Sequence, residues 1–326
     1  GTEFAVDVSP DGTGEVHVLD GEVVLIPGAE EEGSSEHLHK GDARSIDSGG
    51  SVSNVAPDPG RFTGPDAFRK RLAERVAAWR HHLDGLRADP ATVALYDFSD
   101  GPWGASLHNS ARAAPPHSDA SIVGCTWASG RWQGKSALAF TNPSCRIRTV
   151  LPGEFNDLTL ATWVKIDGIN NKMVSLLSSE TTRGSESLFW ALQSMDVGAS
   201  VVFSDTVYNG PGKGDRRHYF GEPRVFWGAP ERGTWIHFAV IVDSANRTVT
   251  HLRDGEVYSV IPMSDGPRPM KIGVADIGNW PFKAWAEGTE WELRDLSGAI
   301  GEFLVSSRPF TVSEVSALYR AGNPEH

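Results

Sequence analysis

Four acids crowd one short stretch of this sequence, Glu287, Glu290, Glu292 and Asp295, with Trp285 and Trp291 among them. Glycoside hydrolysis by retention uses two carboxyl groups about 5 Å apart, one to protonate the leaving oxygen and one to attack. Alternate residues of a single strand can supply that geometry, commonly as Glu-x-Asp-x-Glu. Only Glu290-Trp-Glu292 has the right step here and the middle acid is missing, so a solvated acidic loop is the better reading. The phrase Gly130-Arg-Trp-Gln-Gly-Lys-Ser offers a lysine behind two glycines. A phosphate loop, however, has four residues between its glycines and opens a helix, whereas three intervene here and an alternating strand follows. Gly210-Pro-Gly-Lys-Gly-Asp-Arg-Arg is a second basic, glycine-rich stretch without a strand-to-helix frame, and reads as a loop able to line a site. Neither His37 with His39 nor His81 with His82 has the i, i+4 step of a helical zinc site, and His237 and His251 fall in apolar strands as core histidines. No Gly-x-Ser-x-Gly elbow occurs.

Ten of the 11 tryptophans lie between Trp103 and Trp291. Flat aromatic faces stack on the C–H side of sugar rings while polar side chains take the hydroxyls. Trp127, Trp163 and Trp235 sit in strand patterns and are expected between sheets. Trp280, Trp285 and Trp291 fall in a charged loop and, with Trp227, Arg216 and Arg217, are the expected ligand contacts. Asp97, Asp100 and Asn109 are oxygen donors suited to calcium; turn-forming Asp and Asn give the same pattern. Two cysteines, Cys125 and Cys145, exclude a disulfide-rich scaffold and a four-thiolate zinc site, leaving one bridge or two free thiols.

The formal charge of −12 is uneven: residues 1–64 hold 13 acids and 3 bases. Clustered Lys and Arg, the footprint of nucleic-acid binding, are missing, and nucleic acid is excluded as an expected partner. The longest uninterrupted apolar run, 238–242, is far short of the roughly 20 residues that cross a bilayer. The sequence begins at Gly1 and enters a strand pattern at once, which reads as a fragment whose anchor or export signal lies upstream.

These residues need elements to hold them. Alternation and the turns Asp11-Gly12 and Asp20-Gly21 predict a three-strand meander over residues 2–26, and 28–36 reads as an acidic loop. A weaker strand pair follows at 43–46 and 51–55. Pro57, Pro59, Gly60, Gly64 and Pro65 mark a boundary. Phe68, Leu72, Val76, Trp79, Leu83 and Leu86 then recur at steps of three and four, a docking helix of about 20 residues begun near Asp66 and stopped at Asp89-Pro90. Beyond residue 92 strand follows strand: 93–98, 121–127, 136–140, 145–150, 158–165, 173–178, 187–195, 199–204, 234–243, 248–253, 256–260, 270–277 and 298–306. Asp254-Gly255 is the sharpest hairpin signal. One late helix, 311–321, carries a capping box in Thr311 and Glu314. The reading is mainly β, an antiparallel sandwich with a small N-terminal meander and a connecting helix, divided into 1–60, 61–91 and 92–326.

Two stretches resemble known families. Gly1-Thr-Glu-Phe-Ala-Val-Asp-Val, Val16-His-Val-Leu-Asp-Gly-Glu-Val-Val-Leu and Lys40-Gly-Asp-Ala-Arg-Ser-Ile-Asp resemble the C-terminal part of a FecR-type domain over about the first 55 residues. That likeness implies a place outside the inner membrane and a membrane-sensor and sigma-factor partner reached through the missing first half. Residues 93–323 resemble the laminin G-like, concanavalin A-like jelly roll in Leu95-Tyr-Asp-Phe-Ser-Asp-Gly, Gly130-Arg-Trp-Gln-Gly-Lys-Ser-Ala-Leu-Ala-Phe, Leu158-Thr-Leu-Ala-Thr-Trp-Val, Thr234-Trp-Ile-His-Phe-Ala-Val-Ile-Val-Asp, Val249-Thr-His-Leu-Arg-Asp-Gly-Glu-Val and Gly298-Ala-Ile-Gly-Glu-Phe. The family's closing phrase usually carries Asp where Gly301 stands. The expectation is a non-enzymatic, extracytoplasmic sensor or adhesion fragment, periplasmic or on the cell surface, whose jelly roll binds a polysaccharide or glycan. The alternatives are a glycosidase or lyase, which needs paired acids in a cleft, and a structural protein–protein interaction module.

Overall fold

The computed structural model describes residues 1–9, 11–26, 35–62, 64–101, 104–168, 171, 173–180, 188–195, 198–207, 216–220, 232–263, 269–280, 288 and 293–324, with backbone alone at 59, 65, 173, 193–195, 198–207 and 216–220. The chain packs as two units, Gly1–Glu74 and Arg75–His326. None of its described helices is long and apolar enough to cross a membrane.

In the first unit β1 (Glu3–Val8) and β2 (Gly14–Asp20) form the expected hairpin, with Phe4 opposite Val18 and Val6 opposite Val16. The meander stops there, which corrects the three-strand expectation. β3 (Glu22–Leu25) pairs with β4 (Glu36–His39), while β5 (Ala43–Ile46) lies beside β2 and β6 (Val52–Asn54) beyond it. The reason is burial: Val23, Leu25 and Leu38 pack onto Val16, Val18 and Ile46, and a β3 laid flat beside β2 would leave that face open. The expected acidic loop lies outside the described residues from 27 to 34.

The helix α1 (Pro65–Ala88) runs for 24 residues, with Asp66 in its first turn. Sixteen strands follow among the described residues of the second unit. They are β7 (Thr92–Tyr96), β8 (Ser106–Leu107), β9 (Ala120–Val123), β10 (Thr126–Ser129), β11 (Ser136–Phe140), β12 (Arg146–Phe155), β13 (Leu158–Gly168) and β14 (Met173–Ser179). After them come β15 (Leu188–Met195), β16 (Gly198–Val207), β17 (Arg216–Phe220), β18 (Trp235–Asp243), β19 (Thr248–Arg253), β20 (Glu256–Pro262), β21 (Met270–Ile277) and β22 (Ser297–Ser306). They form two antiparallel sheets. The first runs β10-β11-β22-β13-β18-β19-β20, with β7 also paired to β22; the second runs β17-β16-β15-β14-β21-β12-β9-β8. Asp254 (φ 51°) and Gly255 (φ 77°) turn the β19–β20 hairpin as expected. The expected single strand 121–127 is instead two, β9 and β10, in different sheets, because Gly124 takes φ 71° between them.

The sheets meet over an apolar core that includes Tyr96, Phe140, Leu160, Phe238 and Phe303 from the first sheet and Ile147, Leu177, Trp190 and Ile277 from the second. The first sheet is buried on its other face too. Trp79 and Leu83 of α1 and Val315 and Leu318 of α2 (Val312–Gly322) cover Leu95, Ala161, Ala239, Ile241 and Leu304. Double coverage is why β13, β18 and β22 read as nearly continuous apolar runs rather than alternating ones. The Thr311–Glu314 capping box is formed in full.

Charges are buried where the helices meet this face. Arg131 Nη2 donates to Glu302 Oε2 at 2.9 Å and its Nε to the Gly322 carbonyl at 3.0 Å; Trp79 Nε1 donates to the same Glu302 oxygen at 3.1 Å. Arg131 stacks on Trp163 (4.4 Å) and Trp132 (4.8 Å). Lys135 Nζ donates to the carbonyls of Asp97, Ser136 and Gly301. Both basic residues of Gly130-Arg-Trp-Gln-Gly-Lys-Ser therefore turn inward. Trp163 stacks on Tyr319 of α2 at 5.6 Å, so it packs under the helices, which corrects its expected place between the sheets. A Cβ at Gly301 would lie 3.3 Å from Trp235 and 3.5 Å from Arg131, so this chain has little room for the aspartate the family's phrase usually carries there. Glu302→Ala would strand Arg131 in the interior without its counter-ion, and should cost about 3–5 kcal/mol of unfolding free energy in a denaturant titration.

Candidate functional site

The middle of the first sheet is covered on both faces, and the outer face of the second sheet carries partly exposed polar side chains, Ser121, Arg146 and Arg148 among them. Strand register lines up one residue from each strand across it. Ser106 pairs with Ser121, Ser121 with Arg148, Arg148 with Asp276, Asp276 with Ser178 and Ser178 with Phe189; the backbone row continues through Ser204 to Tyr219. Directly paired residues share a face. In β12, Ile147, Thr149 and Leu151 point inward, which sends Arg146, Arg148 and Val150 outward.

Arg148 is the junction. Its Nη2 meets Glu180 Oε2 at 2.5 Å and its Nε stands 3.2 Å from Asp276 Oδ1, while Arg146 Nε lies 3.7 Å from Asp276 Oδ2. The two arginines are about one-third exposed and Asp276 is only 1% exposed beneath them. Neither Asp276 oxygen receives a hydrogen bond from the described residues, and Arg148 Nε makes none. Charge alone holds this carboxylate, although a buried carboxylate ordinarily gathers N–H or O–H donors. Burial pushes its carboxyl above the ordinary range against the pull of Arg148 and Arg146, and Glu180 adds to the rise. Two acids and two guanidiniums leave the cluster neutral, with donors and acceptors side by side.

Of the expected ligand contacts, Trp285, Trp291 and Trp227 lie outside the described residues. Arg216 and Arg217 begin β17, at the edge of the second sheet, where a loop was expected; only their backbone is described. Trp280 is 5% exposed and lies under the Arg294 guanidinium at 3.8 Å, with Arg294 also over Phe189. The expectation of an open stacking platform at Trp280 is corrected: its flat face already holds a cation. Glu287, Glu290 and Glu292 lie outside the described residues, and Asp295 Oδ1 accepts from Asn171 Nδ2 at 3.0 Å.

The side chains of Asp97, Asp100 and Asn109, the expected calcium donors, each have hydrogen-bond partners within the chain. Asn109 Oδ1 accepts from the N–H groups of Leu95 and Ala111 while its Nδ2 donates to Val93 O and Ser118 Oγ, which exhausts the amide. Asp97 is paired with Arg87 and accepts from Ser99 N, and the exposed Asp100 accepts from His108 N at 2.9 Å. These are structural anchors around β7. No group of three or more metal-ligating side chains occurs among the described residues.

The profile of the concanavalin A-like lectin/glucanases superfamily matches residues 141–316, over half of the chain. The chain belongs to that superfamily. Of solved structures, the binding domain of botulinum neurotoxin serotype G is similar at 10% identity, with 70% of this chain covering 50% of that one at a TM-score of 0.51. The serotype D binding domain matches at 10% identity, 72% and 53% coverage and 0.50. Domain 4 of the Geobacillus stearothermophilus arabinanase AbnA, solved with arabinotriose, has 18% identity, 70% and 98% coverage and a TM-score of 0.48. No curated protein matches this sequence. At these identities the two neurotoxin domains bear on the fold alone.

Within this member of the superfamily, the bare Asp276 carboxylate has a measurable signature. A carboxyl whose folded value is raised binds its proton more tightly folded than unfolded. It therefore lends stability at low pH and withdraws it as pH rises through the folded value. Asp276→Asn, which mimics the protonated form, should melt above the parent protein at pH 7, with the gap closing below about pH 4, as scanning calorimetry would record.

Proposed function

We propose that this protein is a non-catalytic glycan-binding module whose outer second-sheet face, centred on Arg146, Arg148 and Asp276, holds a polysaccharide chain. The observation that carries this reading is the pair of one-third-exposed guanidiniums, Arg146 and Arg148, set side by side over the buried Asp276 carboxylate and next to the exposed Glu180. Sugar hydroxyls donate and accept at once, so such a neutral cluster suits them: Arg146 and Arg148 donate to ring and hydroxyl oxygens, the exposed Glu180 accepts, and the buried Asp276 holds the two guanidiniums in place. Membership of a superfamily described by its lectins and glucanases supports the same ligand class. A row across eight strands, at about 4.8 Å per strand, extends for about 34 Å, a length that suits a chain more than a single sugar.

Binding is favoured over hydrolysis by how the two acids are held. Asp276 and Glu180 both engage Arg148, and Asp276 is covered, so neither stands ready to hand a proton to a glycosidic oxygen. The acidic N-terminal unit, with its FecR-like phrases, would pass the binding event to a membrane partner in an extracytoplasmic setting. Glycan arrays and affinity electrophoresis test the proposal. Arg148→Ala and Arg146→Ala should weaken binding by about 10- to 100-fold, the range for losing a charged hydrogen bond; each also takes a counter-ion from the buried Asp276 and lowers the melting temperature, a loss that adding Asp276→Asn should reverse without restoring binding. Release of reducing sugar from a bound polysaccharide would replace this reading with the glycosidase one. Absence of any glycan binding would favour a protein-interaction module.

A further inference from the structure

β9 and β12 run antiparallel, and their last pair is Val123 with Arg146. One step further along each strand stand Gly124 and Cys145, and one more residue brings Cys125. Gly124 bends the chain with φ 71°, and a Cβ built on it would lie 3.8 Å from the Cys145 Cα. The Cys145 thiol donates to the Gly124 carbonyl at 2.9 Å, which puts its sulfur within one peptide unit of the Cys125 Cα. The Cys125 thiol turns back toward the Val123 carbonyl at 3.7 Å. Cys145 is buried, Cys125 half-buried, and both are free thiols here. Asn142 Nδ2 donates to the same Gly124 carbonyl and Asn142 O accepts from Cys145 N, so the turn that presents Cys145 is itself tied down.

We propose that Cys125 and Cys145 form a disulfide when the chain folds in the presence of a disulfide oxidant such as oxidised glutathione, fastening the end of β9 to the start of β12. The Cys125 thiolate attacks one glutathione sulfur and expels a glutathione thiolate, which takes up the proton that Cys125 released. The Cys145 thiolate then attacks the Cys125 sulfur of that mixed disulfide and expels the second glutathione as its thiolate, protonated in turn. Two cysteine thiols lose two hydrogens and two electrons, and one glutathione disulfide gains them as two thiols. Burial, and then the charge and hydrogen bond of Cys145, push the Cys125 thiol well above its ordinary value. The folded chain therefore holds little thiolate at neutral pH, and the bond belongs to folding rather than to exchange in the finished protein. It fixes the strand that presents Arg146 and Arg148, but its formation is independent of whether that face binds a glycan.

The full chain, unfolded and reduced, is refolded with and without a reduced and oxidised glutathione mixture, alkylated under denaturing non-reducing conditions and digested with trypsin. The expected product joins peptides 113–131 and 136–146, about 2 Da lighter than their sum. Closing a loop of roughly 20 residues constrains the unfolded chain, so the linked form should melt several degrees above the reduced one. Cys125→Ser and Cys145→Ser should each lose the link and that increment. Alkylation of both cysteines after oxidative refolding, glutathione left on either, or a cross-linked dimer would overturn the proposal.

Discussion

One buried ion pair organises the larger unit. Arg131 and Glu302 lie sealed between the first sheet and its two helices, and through them the 131–135 turn, β22, α1 and the end of α2 are joined in one hydrogen-bonded knot. A pair removed from water this completely recovers by mutual attraction little more than its desolvation costs. What it gives is position: Glu302 accepts from Trp79 and Arg131 in one arrangement of helix on sheet, and a shifted helix would leave a bare charge in an apolar layer. The same neighbourhood depresses basic groups. Burial lowers Lys135 to about 7 and, with the Arg131 charge, His237 to about 3, so His237 stays neutral and packs as an aromatic against Trp163. Lys135, with three carbonyls around its nitrogen, is nonetheless arranged as an ammonium ion would require.

That knot decides where a ligand can go. The middle strands of the first sheet are covered on both faces, and the partly exposed charge cluster of the sandwich sits on the other sheet. There the balance is reversed: the arginines are about one-third exposed, and the one deeply placed acid lacks the donors that would finish its shell. Residues that complete their hydrogen bonds inside the protein, such as Asn109, serve the fold; partly exposed guanidiniums keep N–H groups toward solvent.

Much of the fold was legible because its signals are local. Twelve of the thirteen strands expected beyond residue 92 correspond to observed ones within a few residues, the capping box at Thr311 and Glu314 formed, and Asp254-Gly255 turned its hairpin. Pairing was less legible. β3 and β4 find each other across an acidic stretch, and only the need to cover Val16 and Val18 says so. The break at Gly124 was missed because 121–127 alternates well enough to pass for one strand. The face proposed here was not legible for a related reason. Tryptophan abundance drew attention to loops, whereas the signal lay inside strands: Arg146 and Arg148 alternate with inward Ile147 and Thr149, and Asp276 interrupts the apolar run of β21. Charges at alternate positions reveal an outward face, but it takes register to show that β12 and β21 are neighbours.

A face assembled from one side chain per strand has an unusual sensitivity to insertions and deletions. Adding or removing a residue inside β12 or β21 would swing Arg148 or Asp276 into the core and an isoleucine or threonine out, dismantling the charge cluster at a stroke. The connecting turns lie outside that constraint. Descendants of this chain could lengthen or trim their loops freely and keep the same selectivity, so drift in length among them should concentrate between strands and leave the spacing within them untouched.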